Sequence, residues 1–250
     1  MIAVCGLPTK DFSDSVVDAA FNVYRAAKAD RPALLKDLNA SCDLFDAGIT
    51  MIGVWETVGA LGIPSAFGGV DPIIYGFLDT NLHPDVKNAY HSLSIDERRS
   101  AFPATLWTSP SPEQTVEQVW FAGVHSDVGG SYPDDPDGTA LADITLARMM
   151  KKASDLGVAF AANIPANYSF PSNPKCALDT KHESWNILWA FPRSRSIASD
   201  ASLANSVIIR CQDDPSYHPG NLQYKDKEVA SGYKVVDVVG AAPAAVMVAS

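Results

Sequence analysis

Ile49-Thr50-Met51-Ile52-Gly53-Val54-Trp55-Glu56 and Val116-Glu117-Gln118-Val119-Trp120-Phe121-Ala122-Gly123-Val124-His125 decide the fold. Each is a short, β-branched, mostly apolar run that ends at or just before an ionisable residue. Runs of this length and character read as strands buried on both faces, over 49–55 and 116–124. Ala204 to Arg210 (ANSVIIR) reads as a third short strand. Behind Ser13, a capping residue type, Val16, Val17, Ala20, Phe21, Tyr24 and Ala27 recur at helical spacing, which predicts a helix over 13–29. Leu141, Ile144, Ala147, Met150 and Ala153 predict another, capped by Asp137 or Thr139 and ended by Gly157. Strands alternating with helices predict an α/β fold, a mostly parallel sheet flanked by helices. The Gly- and Pro-rich stretches 59–88, 103–114 and 161–180 read as loops that shape a substrate cleft or a lid.

The chain has 250 residues, enough for one large domain or two small ones. Hydrophobic residues make up 47% and charged residues 19%, a globular composition. Against 29 Asp+Glu stand 19 Lys+Arg, so 19 − 29 = −10. That balance argues against nucleic acid as a partner and against adhesion to an anionic membrane by charge alone. Cys5, Cys42, Cys176 and Cys211 form no CxxC pair and read as buried free thiols in a reducing compartment. The start, MIAVCGLPTK, lacks the basic region of a signal peptide. Val238 to Ser250 is uncharged but too short to span a bilayer and contains Pro243, so it reads as a docking strand or a frayed end. A soluble, cytoplasmic chain without a membrane segment is expected, with secretion lacking a classical signal as the alternative. Its oligomeric state is not set by the sequence.

Glu56 directly follows the strand 49–55 and His125 directly follows 116–124. Ligands of open α/β sheets bind at the carboxyl ends of strands, so an acid and a histidine there fit the acid–base half of a hydrolase triad. A capping glutamate and a hydrogen-bonded structural histidine fit the same spacing. His125 and Asp127 stand at i, i+2 as two possible metal ligands, but no third is placed, and no motif calls for a metal or cofactor. The glycines after His125 allow close backbone approach to a ligand. Asp96, in Asp96-Glu97-Arg98-Arg99, is an alternative acid, although such a run reads first as a salt-bridged loop or helix end. His182 is a competing base. Trp55, Trp120, Trp185 and Trp189 read as core or cleft wall, and Met149-Met150 as core. No Gly-x-Ser-x-Gly nucleophile elbow occurs anywhere in the chain. Gly129-Gly130-Ser131-Tyr132-Pro133 comes nearest, but it ends in proline directly behind the histidine and cannot form a strand–turn–helix elbow.

Three long segments carry a family resemblance. Ile52 to Pro64 (IGVWETVGALGIP) resembles a "GVWDTVGALGIP" motif, Ala89 to Arg99 (AYHSLSIDERR) an "AYHALALDERR" motif, and Val119 to Gly130 (VWFAGVHSDVGG) a "VWFPGVHSDVGG" motif. They stand in the order found in an α/β-hydrolase-like family, long filed as a domain of unknown function, that includes phospholipase effectors of bacterial type VI secretion and many fungal proteins. His182-Glu183-Ser184-Trp185 and Tyr217-His218-Pro219-Gly220-Asn221-Leu222 resemble its C-terminal part.

The resemblance implies a serine hydrolase acting on lipids or other carboxylic esters, with a Ser–Asp–His triad and no cofactor. His125 matches the family's base. Glu56 stands where the family has an aspartate, one methylene shorter. The family's serine lies in a "GFSRGA" elbow, and Met1 to Pro8 resembles the stretch soon after it. Residues 1–222 are therefore expected to be the C-terminal two-thirds of one domain, with 223–250 as a tail. On this reading the chain lacks the early strands, the nucleophile and part of the oxyanion hole. The missing strands would leave an exposed sheet edge beside 49–55. The competing reading is a non-catalytic remnant that binds a lipid or a partner.

Overall fold

The computed structural model describes residues 1–10, 13–58, 82–186, 192–225 and 228–240. In chain order its elements are α1 (Ile2–Cys5), β1 (Leu7–Pro8), α2 (Asp14–Arg25), α3 (Arg31–Cys42), β2 (Leu44–Phe45), β3 (Ile49–Trp55), β4 (Val86–Ser94), β5 (Thr115–Phe121), α4 (His125–Gly129), α5 (Leu141–Asp155), β6 (Ser202–Ala204), α6 (Asn205–Asp213), β7 (Tyr224–Lys225), β8 (Glu228–Val229) and β9 (Lys234–Val236). Two 3₁₀ turns, Ala166–Tyr168 and Pro174–Leu178, punctuate the loop before β6.

Among the described residues the central sheet has five strands in the order β3-β4-β5-β6-β9, and every adjacent pair is parallel. Helices flank it, so the α/β class holds. Among the described residues β3 has β4 as its only strand partner. Residues 234–236, inside the stretch read as a tail, form the last strand of this sheet. The core lies between sheet and helices, around Leu93, Phe121, Ile144, Leu203 and Val207. Removing such side chains from water is the main stabilising term for a sheet covered on its faces. A second, smaller cluster of Cys5, Val16, Val23, Leu38 and Cys42 joins α1, α2 and α3.

Strand 49–55 forms as the sequence predicts, and 116–124 forms as Thr115–Phe121 followed by the turn into α4. The helix after Ser13 stops at Arg25, and a second helix, α3, follows with Pro32 in its first turn. The N-cap of α5 is Ala140, whose N–H donates to Asp143 at 3.0 Å. Asp137 instead accepts from Thr139. Met149 is buried in the core, whereas Met150 is half-buried.

The reading of 204–210 as a strand is overturned. Only Ser202–Ala204 is extended, and Asn205–Asp213 is helical. Ser206, Val207 and Arg210 are its buried residues, at spacings of one and three, so the packed face is a helical one. The β-branched run Val207-Ile208-Ile209 carries a strand's composition but not its period.

Strand β4 escaped the sequence because its polar residues face inward. His91, Ser92 and Ser94 are each fully buried. A central parallel strand is expected to read as a continuous apolar run, and VKNAYHSLS does not. Cys5, Cys42 and Cys176 are buried and Cys211 half-buried, all as free thiols. Trp120 is buried, Trp55 packs against the core, and Trp185 lies under the Arg98 guanidinium at 5.7 Å. Trp189 and most of the 59–88 loop lie outside the described residues.

Candidate active site

Parallel pairing of β3, β4 and β5 brings three strand ends to one edge of the sheet. Glu56 leaves the end of β3 with a positive φ of 51°, held there by its N–H donating to the Ser92 carbonyl at 2.9 Å. Its side chain crosses the end of β4 and reaches His125, beyond the end of β5. Oε2 of Glu56 lies 3.2 Å from Nδ1 of His125 and accepts from the Ser94 hydroxyl at 3.0 Å. Oε1 accepts from the Ser94 backbone N–H and from the Arg195 guanidinium, the latter at 2.8 Å. The carboxylate is 2% exposed, so all of its stabilisation comes from these donors.

Burial alone would raise the pKa of Glu56. The hydrogen bond from His125 and the charge of Arg195 outweigh burial and hold the carboxyl at about 2. An ionised acceptor makes Nδ1 of His125 the donor, so in the neutral ring the lone pair is on Nε2. Nε2 has no hydrogen-bond partner among the described residues. The ring is partly exposed, and Phe102 packs edge-on against it with centroids 5.2 Å apart. This is the geometry of an oriented general base.

The loop that carries His125 is pinned by three carboxylates on three consecutive backbone donors. Gly123 N–H donates to Asp96 at 2.7 Å, Val124 N–H to Asp127 at 2.9 Å, and His125 N–H to Glu97 at 3.2 Å. Each carboxylate is tied down in turn. Asp96 accepts from the Tyr217 hydroxyl at 2.9 Å. Glu97 accepts from Arg99 through two guanidinium nitrogens, both at 2.9 Å, and from Ser184. Asp127 takes the backbone N–H of His182 at 3.1 Å and lies 2.7 Å from its Nδ1, while Tyr132 stacks on the His182 ring.

Glu56 and His125 are thus brought together, while Asp96 and His182 are engaged elsewhere. Asp96 bonds the turn and Tyr217, and His182 bonds Asp127. The Asp96–Arg99 run is a loop that contains a salt bridge. Asp127 spends its oxygens on backbone and His182, and no group of three potential metal ligands occurs among the described residues. Gly123 is required for a reason internal to the turn. Its φ is 112°, and a Cβ there would stand 2.5 Å from the Asp127 Cβ.

Sequence reasoning missed Ser94, His91, Glu97 and Arg195. His91 accepts the Thr57 N–H through Nε2 at 3.2 Å, and burial lowers its pKa to about 4, so it stays neutral and braces the turn after Glu56. An inward-facing polar residue in a parallel strand was the available signal for Ser94 and His91. Arg195 lies 139 residues from Glu56, and no local pattern marks it.

Two predictions follow from this geometry. Gly123→Ala combines an unfavourable φ with a backbone-proximal clash, and should lower stability by about 2 kcal/mol or more. Gly129→Ala, with open space around its Cβ position, should be close to neutral by calorimetry. The carboxyl of Glu56 titrates lower folded than unfolded, so its ionisation contributes stability above about pH 4.5 that is lost as pH falls towards 2. Glu56→Gln leaves the Arg195 charge buried and uncompensated, at a cost of about 3 kcal/mol near pH 7. The gap between variant and parent should narrow as chemical denaturation is repeated at falling pH below 4.5.

The family model described as "T6SS, Phospholipase effector Tle1-like, catalytic domain" matches residues 1–152, more than half of the chain and the part that contains both Glu56 and His125. No curated protein and no solved structure matches the chain. No helix among the described residues is long and apolar enough to cross a membrane. With the parallel sheet and the matched 152 residues taken together, the chain belongs to the family of type VI secretion phospholipase effector Tle1-like catalytic domains.

Proposed function

We propose that this chain carries the acid and base of a Ser–Glu–His triad that hydrolyses carboxylic ester bonds of lipids. The observation that carries the reading is the Glu56–His125 contact at 3.2 Å, with Glu56 ionised by Arg195 and Nε2 of His125 left free. In the reaction, Nε2 takes the proton of a serine hydroxyl as its oxygen attacks the ester carbonyl. The resulting imidazolium is stabilised by Glu56 and returns the proton to the departing alcohol. Water then repeats the sequence on the acyl-enzyme and releases a fatty acid.

The serine is the part that the 250 residues do not contain in an elbow motif. The proposal therefore requires a Gly-x-Ser-x-Gly segment from outside them, with its serine within reach of His125 Nε2. The second reading is a lipid- or partner-binding protein without turnover. The reading of 1–222 as the C-terminal part of one hydrolase domain belongs to the first proposal.

The test is hydrolysis of a short-chain phospholipid by the 250-residue chain and by a version extended upstream through the first in-frame Gly-x-Ser-x-Gly. Only the extended form should turn over. His125→Ala in that form should abolish nearly all turnover with little change in KM. Glu56→Gln, compared at a temperature where the variant is folded, should lower kcat by about 10²–10⁴. Asp96→Asn and His182→Ala touch only the scaffold of the His125 turn and should cost less. Retained activity in His125→Ala, or a larger loss from Asp96→Asn than from Glu56→Gln at equal stability, contradicts the assignment. An upstream stop codon in place of the elbow favours the second reading.

A further inference from the structure

Beside the dyad lies a pocket of about 260 Å³ that neither acid nor base uses. It shares Phe102 and Arg195 with the site: the Phe102 ring packs on His125, and Arg195 holds Glu56. Part of its lining is apolar, from Phe102, Pro103, Ala104, Leu106 and Trp120. The rest is cationic and hydroxylic, from Arg99, Arg193 and Arg195 with Ser194 and Ser196, and the Arg99 guanidinium lies 3.7 Å over the Phe102 ring. Two backbone-directed bonds tie the 193–195 segment to the 98–102 segment. Arg193 N–H donates to the Arg98 carbonyl at 2.8 Å, and the Arg195 guanidinium donates to the Phe102 carbonyl at 2.9 Å.

The three arginines are not equivalent. Arg99 is neutralised by Glu97, and Arg195 by Glu56. Arg193 is exposed, and its guanidinium has no carboxylate or hydrogen-bond partner among the described residues. Arg195 also keeps its buried Nε–H without a partner. An uncompensated arginine lining the same pocket as a set of apolar side chains, in a chain of net charge −10, is a local exception that suits a ligand with the same two halves.

We infer that this pocket binds an anionic amphiphile, with a phosphate group on Arg193 and its hydrocarbon against the Phe102–Leu106 side chains. Guanidinium meets phosphate oxygens through paired, charge-assisted hydrogen bonds, and the serine hydroxyls add neutral donors. The pocket is too small for a whole diacyl lipid, so it holds the headgroup phosphate and the nearest methylenes. The inference rests on the lipid-hydrolase reading for its biological substrate, but the binding itself needs no turnover.

The experiment is calorimetric titration of the 250-residue chain with dodecyl phosphate below its micelle concentration. Inorganic phosphate and the neutral dodecyl maltoside are the comparison ligands. Saturable one-to-one binding of dodecyl phosphate is expected, with both comparison ligands at least tenfold weaker. Arg193→Gln should weaken dodecyl phosphate about tenfold or more, the loss of one charge-assisted pair. Arg193→Lys should recover part of that loss, and Leu106→Ser should weaken binding several-fold without touching the charge. Leu106 is 39% exposed and Arg193 lies at the surface, so these variants should melt with the parent protein. Unchanged binding in Arg193→Gln overturns the inference. Inorganic phosphate binding as tightly as the amphiphile makes the site a free-phosphate site and overturns it too, as does equal binding of the maltoside. These outcomes leave the Glu56–His125 proposal standing, whereas an active His125→Ala enzyme with normal dodecyl phosphate binding removes that proposal alone.

Discussion

The buried negative charge of Glu56 is the constraint around which this edge of the sheet is arranged. An ionised carboxylate at 2% exposure is tolerated only if most of its lone pairs are met and a cation stands beside it. Arg195 supplies the cation, Ser94 supplies two hydrogen bonds, and His125 takes the remaining direction. The arginine and the histidine compete for one carboxylate, each on its own oxygen. Arg195 fixes the charge permanently, because a guanidinium does not titrate in the accessible range. His125 is then oriented by an anion that is present at every pH where the protein would work.

A histidine held by its side chain alone would still swing with its loop. The three carboxylates on the Gly123, Val124 and His125 N–H groups remove that freedom. Each has a partner far along the chain: Tyr217 for Asp96, Ser184, beside the neighbouring Arg99, for Glu97, and His182 for Asp127. These three distant partners lie beyond residue 152, where the family match ends, as does Arg195. Glu56, His125 and the carboxylates that pin the His125 turn thus sit in the matched part, and Arg195, Tyr217, Ser184 and His182 brace them from the rest. The segments around Asp96 and His125, which follow different strands, are thereby joined. They are the two sides of a single clamp.

The strand ends that carry Glu56 and His125 are legible because continuous apolar, β-branched runs stop abruptly at ionisable residues. The helix over 141–155 is legible from its helical period. Strand β4 was hidden because its interior positions are His91, Ser92 and Ser94, residues that belong inside only when the partners above are known. The run at 204–210 misled because Val207-Ile208-Ile209 favours a strand by composition, while Val207 and Arg210 are buried on a helical face. The run Asp96 to Arg99 reads as a salt-bridged loop or helix end. It is a loop with a Glu97–Arg99 salt bridge, but the Glu97 carboxylate is buried and also holds the His125 backbone. Arg195 had no sequence signal, since a charge pair across 139 residues leaves no local pattern.

The central claim is that ionised Glu56 fixes His125 as the tautomer with its proton on Nδ1 and a free Nε2. Nitrogen-15 shifts of the His125 imidazole, measured at a pH where the ring is neutral and assigned with a His125→Gln control, test it directly. The account predicts one protonated signal at Nδ1 and one unprotonated signal at Nε2. Shifts of a rapidly averaging ring, or a proton on Nε2, would contradict it.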